Sequence, residues 1–259
     1  MKSLAGLGGD AEDAQDYMIT VGDLMAGLVF LFIITLMIFA FRFQTATEAI
    51  QSASETRTVI LKELESRLLE EEIVVVIDTL QGVLRLSDSD GNIGFEFGRE
   101  TVFQEHIPRV ATLTRILSEV VPCFAVAGDL ICDMVDLDPV RHSSRIHAVQ
   151  IEGHTDTIPF GAQAASRFIS NLELSAARAA HIHSLMLEFE PGMATILNTE
   201  GTPILGVAGY GAERRLQHLS GDDDRQRRID LRFIMEPPRG RTPAPVEQVG
   251  EGLRQPGGP

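Results

Sequence analysis

Residues 145–178, RIHAVQIEGHTDTIPFGAQAASRFISNLELSAAR, join a strand-forming run to a helix-forming run through a loop. The first part, Arg145–Glu152, is short and rich in apolar residues, which is typical of a strand. The helix expected after the loop extends over Leu172–Glu188. This segment lies at the centre of the folded domain that the sequence predicts, and the flanking segments extend the same pattern in both directions.

Strands and helices alternate on both sides of this segment. Further strands are expected at Ile73–Ile77, Gly82–Leu86, Ile93–Phe97, Ile204–Ala208 and Ile229–Met235, and a further helix at His106–Val121. In the final strand, apolar side chains such as Ile229 and Leu231 alternate with an outward-facing Asp230. Residues 73–236 therefore predict an α+β sandwich with helices packed on one face of a sheet.

Two patterns that suggest metal ligands do not meet the requirements of a metal site. Asp88–Asn92 resembles the start of a calcium loop, but the sixth position is Ile93 and the twelfth is Arg99 instead of glycine and glutamate. A tight turn is the better interpretation. His181 and His183 lie two residues apart on a helix and therefore point away from each other. The sequence also lacks the HExxH, CxxC and G-x-S-x-G patterns, so neither a metal site nor an enzyme is expected.

The N-terminal region contains a membrane-length apolar run. Leu24–Phe41 comprises 18 consecutive residues without a charge, and extension back to Tyr17 gives 25 residues interrupted only by Asp23. A helix of that length measures roughly 37 Å, enough to cross a hydrocarbon core of about 30 Å. The run is too long for a signal peptide, follows acidic residues and lacks a small-residue cleavage site. We therefore predict one retained transmembrane helix at residues 17–43.

Asp23 is a carboxylate inside or at the edge of this span, about 9 Å along the helix from Tyr17. A charge at mid-bilayer costs about 2.5–3.5 kcal/mol, so such residues usually carry ions or make polar contacts between helices. The neighbouring small residues Gly22, Ala26 and Gly27 would allow a second helix to approach closely. Alternatively, Asp23 lies at the interface and ends the span.

Two segments flank the folded domain. Residues 44–72 contain neither glycine nor proline and have apolar residues at spacings of three, four and seven, which predicts a helix. This helix is either a linker that forms a short parallel coiled coil or an amphipathic helix that packs on its own domain. Residues 237–259 contain half of the chain's 12 prolines and almost no core-forming residues, which predicts a disordered tail.

The charge and the cysteine content exclude several classes of protein. The net charge is −15 at pH 7, which argues against a nucleic-acid partner because phosphate binding needs a basic surface. Two cysteines cannot form a disulfide-rich scaffold or an all-cysteine zinc site. Cys123 and Cys132 either form one disulfide, which would indicate an oxidising compartment, or are two buried free thiols.

Four motifs occur in order along the domain. Gly153-His154-Thr155-Asp156 follows a predicted strand, Ser170–Ala179 opens a helix, Gly209-Tyr210-Gly211 follows the next strand, and Arg227-Arg228-Ile229-Asp230 enters the last. Together they resemble the OmpA-like peptidoglycan-binding domain over about residues 80–235. The form Ser-Asn-x-Glu-Leu-Ser-x-x-Arg-Ala resembles the MotB branch of that family.

The resemblance implies that Asp156, Asn171, Leu174 and Arg178 bind peptidoglycan. Diaminopimelate in the peptide stems displays an ammonium and a carboxylate, and an aspartate held beside an arginine would pair with both. Asn171 and the backbone near Leu174 would add hydrogen bonds at the helix start. Alternatively, Asp156 and Arg178 form a structural ion pair and Asn171 is only a helix cap.

The sequence departs from the family pattern at two places near these residues. Thr157–Ile169 is longer than the corresponding segment of the OmpA form and is expected to reshape or cover the pocket. Gln226 replaces the asparagine that often precedes the double arginine.

The membrane helix, the helical linker and the wall-binding domain together resemble the B subunit of ion-driven stators. Asp23-Leu24-Met25 is similar to the ion-binding core of that family, although Val21-Gly22 replaces its usual aromatic–small pair. The resemblance implies a homodimer inside a ring of multi-span MotA/ZorA-like subunits. It also implies transport of H⁺ or Na⁺, anchoring to peptidoglycan, and no bound cofactor.

In its overall features the chain is similar to the ZorB component of Zorya anti-phage defence systems. A flagellar MotB-type stator subunit and a passive peptidoglycan-anchoring membrane protein are the alternatives. The resemblance places residues 1–16 in the cytoplasm as a tail and the domain in the periplasm, across the bacterial inner membrane. The charges around the span lean weakly the other way, because Arg42, Arg57 and Lys62 lie on its C-terminal side.

Overall fold

The computed structural model of the chain describes residues 9–87, 89, 91–96, 98–125, 144–159 and 167–236. The chain divides into two compact units, Met1–Ala49 and Ile50–Pro259. The predicted tail at residues 237–259 lies outside the described residues.

The first long element is helix α1, Gly9–Glu70, and residues of both units belong to it. It begins eight residues before the predicted span at residue 17, so part of the expected N-terminal tail is helical. Its described part contains an 18-residue window with a mean hydropathy of 2.8, none of it buried, and is long and apolar enough to cross a membrane. The helix does not break between the predicted span and the predicted linker.

In the second unit, the C-terminal part of α1 contributes to the core of the domain. Ile60, Leu64 and Leu68, three of the apolar residues in the 44–72 repeat, have no exposed surface. Ile50, at the start of the repeat, is 61% exposed. Burial of this face within the chain itself favours an amphipathic helix packed on its own domain over a coiled-coil seam.

The end of α1 is set by a hydrogen-bonded cap. The Ile73 N–H donates to the Leu68 carbonyl at 2.8 Å, and the Glu72 N–H donates to the Leu69 carbonyl at 3.1 Å. Glu72 has a φ of 59°, the left-handed conformation that this cap requires. Ile73 and Leu68 are both buried, which supplies the hydrophobic contact that accompanies such caps.

Five strands form one mixed sheet in the second unit. They are β1 Val76–Asp78, β2 Val83–Ser87, β3 Ile146–His154, β4 Leu205–Gly209 and β5 Arg228–Met235. The order across the sheet is β1-β2-β5-β3-β4, in which β3 and β4 are parallel and the other neighbours are antiparallel. Two longer helices accompany the sheet: α2 Ile107–Val120 and α3 Asn171–Phe189. Short 3-10 turns occur at Gln104–His106, Val121–Phe124, Pro191–Thr195 and Asp224–Gln226.

The apolar residues of α2, α3, the end of α1 and one face of the sheet form a single core. The α+β class is therefore confirmed. The expected strand at Ile93–Phe97 is wrong within the described residues, where only an isolated bridge joins Phe95 to Val102. In β5, Ile229 and Leu231 are buried in the core as expected. Asp230 lies on the other face, but it is also buried, at 2% exposure, because charged side chains surround it there.

Two glycines allow α3 to approach the sheet closely. A Cβ atom on Gly153 would lie 2.0 Å from the Ser175 carbonyl oxygen, and one on Gly209 would lie 2.5 Å from the Ala176 nitrogen. Neither distance is compatible with any side chain larger than hydrogen. The glycines of the GHTD and Gly-Tyr-Gly motifs therefore allow the first turns of α3 to pack against β3 and β4, beside the loop that leaves β3.

Candidate functional site

A cavity of about 260 Å³ lies after the C-terminal end of β3, and we call it the β3 cavity. The four residues expected to bind peptidoglycan all line it: Asp156, Asn171, Leu174 and Arg178. The other lining residues are Phe95, Gly98, Phe103, Thr155, Ile158, Pro159 and Arg227. The structure thus brings together residues from the GHTD motif and from the helix start, although the segment between them is long.

Asp156 is fixed in the loop that leaves β3. Its Oδ1 accepts a hydrogen bond from the Ile158 N–H at 3.1 Å, and its Oδ2 accepts one from Arg227 Nη1 at 2.8 Å. The side chain is largely buried, so this ion pair is only partly screened by water. The charge of Asp156 is therefore already matched by an arginine other than the one that the sequence suggested.

Arg178 is held from two sides on the first turns of α3. Its Nε donates to the Arg99 carbonyl at 3.0 Å, and its guanidinium lies 4.8 Å from the centroid of the Phe95 ring. A cation over an aromatic face is attracted by the ring's quadrupole. The side chain is 4% exposed and lines the cavity, so its charge is placed rigidly at the site.

The start of α3 is capped by Ser170, so the alternative in which Asn171 is only the helix cap does not hold. The Ser170 hydroxyl accepts from the Glu173 N–H at 3.3 Å, and Glu173 Oε2 accepts from the Ile169 N–H at 2.7 Å. This reciprocal arrangement satisfies the helix end. The side chain of Asn171 points instead toward the loop after β3, where its Nδ2 donates to the Asp156 carbonyl at 3.5 Å.

Arg227 is the charged residue of the cavity that sequence reasoning missed. It belongs to the double-arginine motif, which was a signal, but the sequence does not indicate which of the two arginines faces the cavity. Burial alone would lower the pKa of Arg227, but hydrogen bonds to Asp156 and Asp224 outweigh it and raise that pKa. A ligand ammonium that approaches Asp156 must share the carboxylate with Arg227.

Gln226, one of the two departures from the family pattern, has a structural role. Its Oε1 accepts from the Leu216 N–H at 2.9 Å, and its Nε2 donates to the Leu216 and Ser220 carbonyls at 3.2 and 3.1 Å. The side chain is fully buried and closes the loop before β5.

The other departure, Thr157–Ile169, lies partly outside the described residues. Ile158 and Pro159 line the β3 cavity, and the Thr157 N–H donates to the Gly221 carbonyl at 2.9 Å. Residues 160–166 lie outside the described residues, as does Cys132, so the bridge between Cys123 and Cys132 stays a prediction.

Three buried groups elsewhere have metal-ligand chemistry. Ligand atoms of Glu152, His154 and Asp230 lie within 4.8 Å of one another. Arg232 donates to both oxygens of Glu152 at 2.6 and 2.9 Å, and Arg85 donates to Asp230 at 3.0 Å. The carboxylates are thus occupied by guanidinium groups, so the donor set does not fit a metal ion.

In the first unit, Asp23 lies exposed on α1 within the apolar run. Cβ atoms added to Gly22 and Gly27 would have no atom within 4 Å in the described part of the chain. The surface of the helix beside the carboxylate is therefore smooth and open to a neighbouring helix.

Comparison with known proteins gives structural likenesses only. No family model and no curated protein matches the sequence. The fold is similar to a putative MotB-like protein from Desulfovibrio vulgaris, with 20% identity, 72% of this chain and 98% of that chain covered, and a TM-score of 0.46. It is also similar to the cell wall anchor of the type VI secretion system from Pseudomonas aeruginosa, with 16% identity, coverage of 68% and 97%, and a TM-score of 0.43.

A third similar structure is the periplasmic domain of MotB from Helicobacter pylori, with 14% identity, coverage of 67% and 87%, and a TM-score of 0.40. Because the identities are at most 20% and the TM-scores lie below 0.5, no residue role is transferred from these three proteins.

Proposed function

We propose that this chain attaches a membrane complex to peptidoglycan through the β3 cavity. The observation that carries the proposal is the convergence of Asp156, Asn171, Leu174 and Arg178 in one cavity, with Arg178 buried and fixed. A carboxylate and a guanidinium at one site match the ammonium and the carboxylate of diaminopimelate. The cavity of about 260 Å³ suits the end of such a side chain better than a whole disaccharide.

The first test is co-sedimentation of the full-length protein, in mild detergent, with purified peptidoglycan sacculi. Asp156→Asn and Arg178→Lys preserve the size of each side chain, and each should weaken binding about tenfold because a charge-assisted hydrogen bond is lost. Asp222→Asn changes an exposed carboxylate away from the cavity and serves as the control. Sacculi that retain both cavity variants as well as the wild type would end the proposal.

The membrane helix adds a second role, in which Asp23 carries H⁺ or Na⁺ for an ion-driven motor. The support is a carboxylate in an apolar helix of membrane length, beside glycines that leave its surface open. The protein would act as a homodimer in the bacterial inner membrane, with a cytoplasmic N-terminus and the domain in the periplasm. Multi-span MotA/ZorA-like subunits would surround the two helices, and the β3 cavity would hold the assembly to the wall.

The motor is proposed to be a Zorya-type anti-phage defence complex, on the strength of the overall sequence resemblance. Purification from native membranes in gentle detergent, followed by mass spectrometry, tests this assignment. A stoichiometric multi-span partner encoded with defence proteins would support it. A partner from the motility apparatus would instead identify a flagellar stator subunit, and a dimer without partners would identify a passive wall anchor.

A further inference from the structure

The pairing of three strands places charged side chains together on the outer face of the sheet. Asp230 of β5 lies opposite Arg85 of β2 and Glu152 of β3, and His154 of β3 lies opposite Arg228 of β5. Because side chains of a strand alternate between faces, these residues lie on the face opposite the apolar core. All five are at least largely buried, which is unusual for charged groups on an outer face.

Both carboxylates in this cluster already form ion pairs with arginines. Arg85 and Arg228 both donate to Asp230, at 3.0 and 3.2 Å, while Arg232 makes a bidentate pair with Glu152. Three guanidinium groups therefore face two carboxylates. The cluster has a positive charge of its own, in a chain whose net charge is −15.

A cavity of about 550 Å³ opens above the cluster, and we call it the arginine pocket. The loop after β4 adds Arg214 and Arg215 to its lining, and both are exposed. Among the residues that the structure describes, neither pairs with a carboxylate. The lining acid Asp78 offsets one of the surplus charges, so the pocket keeps an excess of about two positive charges.

The side chain of Arg214 is held in place by an aromatic ring. The Arg214 guanidinium lies 3.7 Å from the centroid of the Tyr210 ring, which in turn stacks on His154 at 5.5 Å. The Arg214 carbonyl accepts a hydrogen bond from Arg228 Nη2 at 2.9 Å. Arg214, Tyr210 and His154 thus form one stack, which runs from the exposed edge of the pocket to its buried side.

His154 is a buried polar group whose hydrogen-bonding capacity is unused. It is 2% exposed, and within the described residues neither ring nitrogen has a hydrogen-bond partner, although Nε2 lies 3.5 Å from Asp230 Oδ2. Burial lowers the pKa of His154 to about 3, and the nearby Arg228 and Arg85 add to this effect while Asp230 opposes it. The neutral ring lines the pocket without adding charge to it, and both of its nitrogens are buried.

We infer that the arginine pocket binds a phosphate monoester. A dianionic phosphate matches the two surplus positive charges, and its terminal oxygens can accept hydrogen bonds from Arg214 and Arg215, which line the pocket. A carboxylate has one negative charge, so it would match only one of the two surplus positive charges. The source of the phosphate is either a soluble ester or the headgroup of a phosphomonoester lipid. This site is separate from the β3 cavity and does not depend on the proposed attachment to peptidoglycan.

The test is isothermal titration of the full-length protein in uncharged detergent at low salt, with glycerol 3-phosphate as the probe. Saturable binding is expected in the wild type. Arg214→Gln and Arg215→Gln should each weaken it about tenfold, and these exposed positions should not affect folding. Arg115→Gln changes another exposed arginine, on α2 and outside the pocket lining; it is the charge-matched control and should bind as the wild type does.

Two further measurements sharpen the result. Affinity should fall as the pH drops through about 6, where the ester loses its second charge. Phosphatidic acid added to the micelles should displace the probe if the ligand is a lipid and leave it bound if the ligand is a soluble ester, and both outcomes support the site. The absence of saturable binding at millimolar concentrations, or unchanged affinity in both arginine variants, would overturn the inference.

Discussion

At the residue scale, the chemistry of the β3 cavity depends on which groups donate hydrogen bonds to the Asp156 carboxylate. Its carboxylate already accepts from Arg227 and from a backbone N–H, so a ligand ammonium competes with a bound guanidinium. Because Arg227 also pairs with Asp224 at 2.7 Å, it has a second acceptor to which it can shift. If the cavity binds peptidoglycan as proposed, Arg227 competes with the ligand for Asp156.

We therefore expect Arg227→Gln to bind sacculi more tightly, by up to about tenfold, because Asp156 would be free for the ligand. The same change should lower the free energy of unfolding by about 1 kcal/mol, because a largely buried carboxylate loses its partner. Sedimentation and urea unfolding measure the two effects. Arg225→Gln, which affects an exposed pair with Asp223, is the control. Weaker binding by Arg227→Gln would mean that this arginine itself contacts the ligand.

The buried His154 predicts how stability depends on pH. Its pKa is about 3 in the folded protein and about 6.5 in the unfolded chain, so between these values the unfolded chain binds the extra proton. The contribution of His154 to the free energy of unfolding is complete above pH 6.5 and is lost as the pH falls toward 3. The limiting slope of this loss is roughly 1.4 kcal/mol per pH unit.

Urea unfolding at several values between pH 7 and pH 4.5 tests this dependence. His154→Gln should flatten the profile, because the substituted side chain cannot be protonated. His218→Gln alters an exposed histidine and should keep the wild-type slope. A profile with the same steepness in the His154 variant would show that carboxylates account for the acid sensitivity.

At the scale of elements, the cap of α1 uses an unfavourable residue. Glu72 has a φ of 59°, a conformation in which a side chain costs about 1 kcal/mol relative to glycine. Glu72→Gly should therefore raise the free energy of unfolding by about 0.5–1 kcal/mol. Glu71→Gly, one position earlier in the same turn, should not be stabilising. Thermal and urea unfolding of both variants test this prediction. A Glu72→Gly variant that is less stable than Glu71→Gly would contradict it.

Elements with clear apolar periodicity were predictable from the sequence. The helices at Ile107–Val120 and Asn171–Phe189 and the strand at Arg228–Met235 lie within a few residues of their expected bounds. The expected strand at Ile93–Phe97 is apolar, but no neighbouring strand pairs with its described residues, and a strand needs such a partner. Burial of Asp230 was also not predictable, because it depends on arginines that are distant in sequence.

Contacts between residues distant in sequence also limit what can be predicted about the two sites. The motifs predicted Asp156, Asn171, Leu174 and Arg178 of the β3 cavity, since the motifs that contain them lie at the ends of elements that meet there. Arg227 as the partner of Asp156 and the arginine pocket both depend on the loop before β5. The course of that loop is set by Gln226 and by turns, and such contacts leave no periodic trace in a sequence.

At the scale of the whole molecule, the proposed motor depends on one carboxylate. Asp23→Asn removes the exchangeable charge and keeps the shape, so it should abolish protection against phage in cells that also express the partner subunits. Asp23→Glu should retain part of the activity. Thr35→Val, a polar-to-apolar change in the same helix, is the control, since within the described part of the chain the Thr35 hydroxyl bonds only the Leu31 carbonyl of its own helix.

Plaque assays measure protection, and co-purification of the partner shows whether the complex still assembles. Loss of protection with an intact complex is the expected result for Asp23→Asn. Full protection by Asp23→Asn would contradict ion transport through Asp23 and would support the alternative of a passive wall anchor.

The adjacent arginines at the start of β5 restrict how this segment can change in evolution. Arg227 serves the β3 cavity, whereas Arg228 serves the arginine pocket, and consecutive side chains of an extended chain point to opposite sides. Insertion of a single residue between them would bring both side chains to the same side of the chain, so one of the two sites would lose its arginine. Differences in chain length are therefore better accommodated in the preceding loop than between these two arginines.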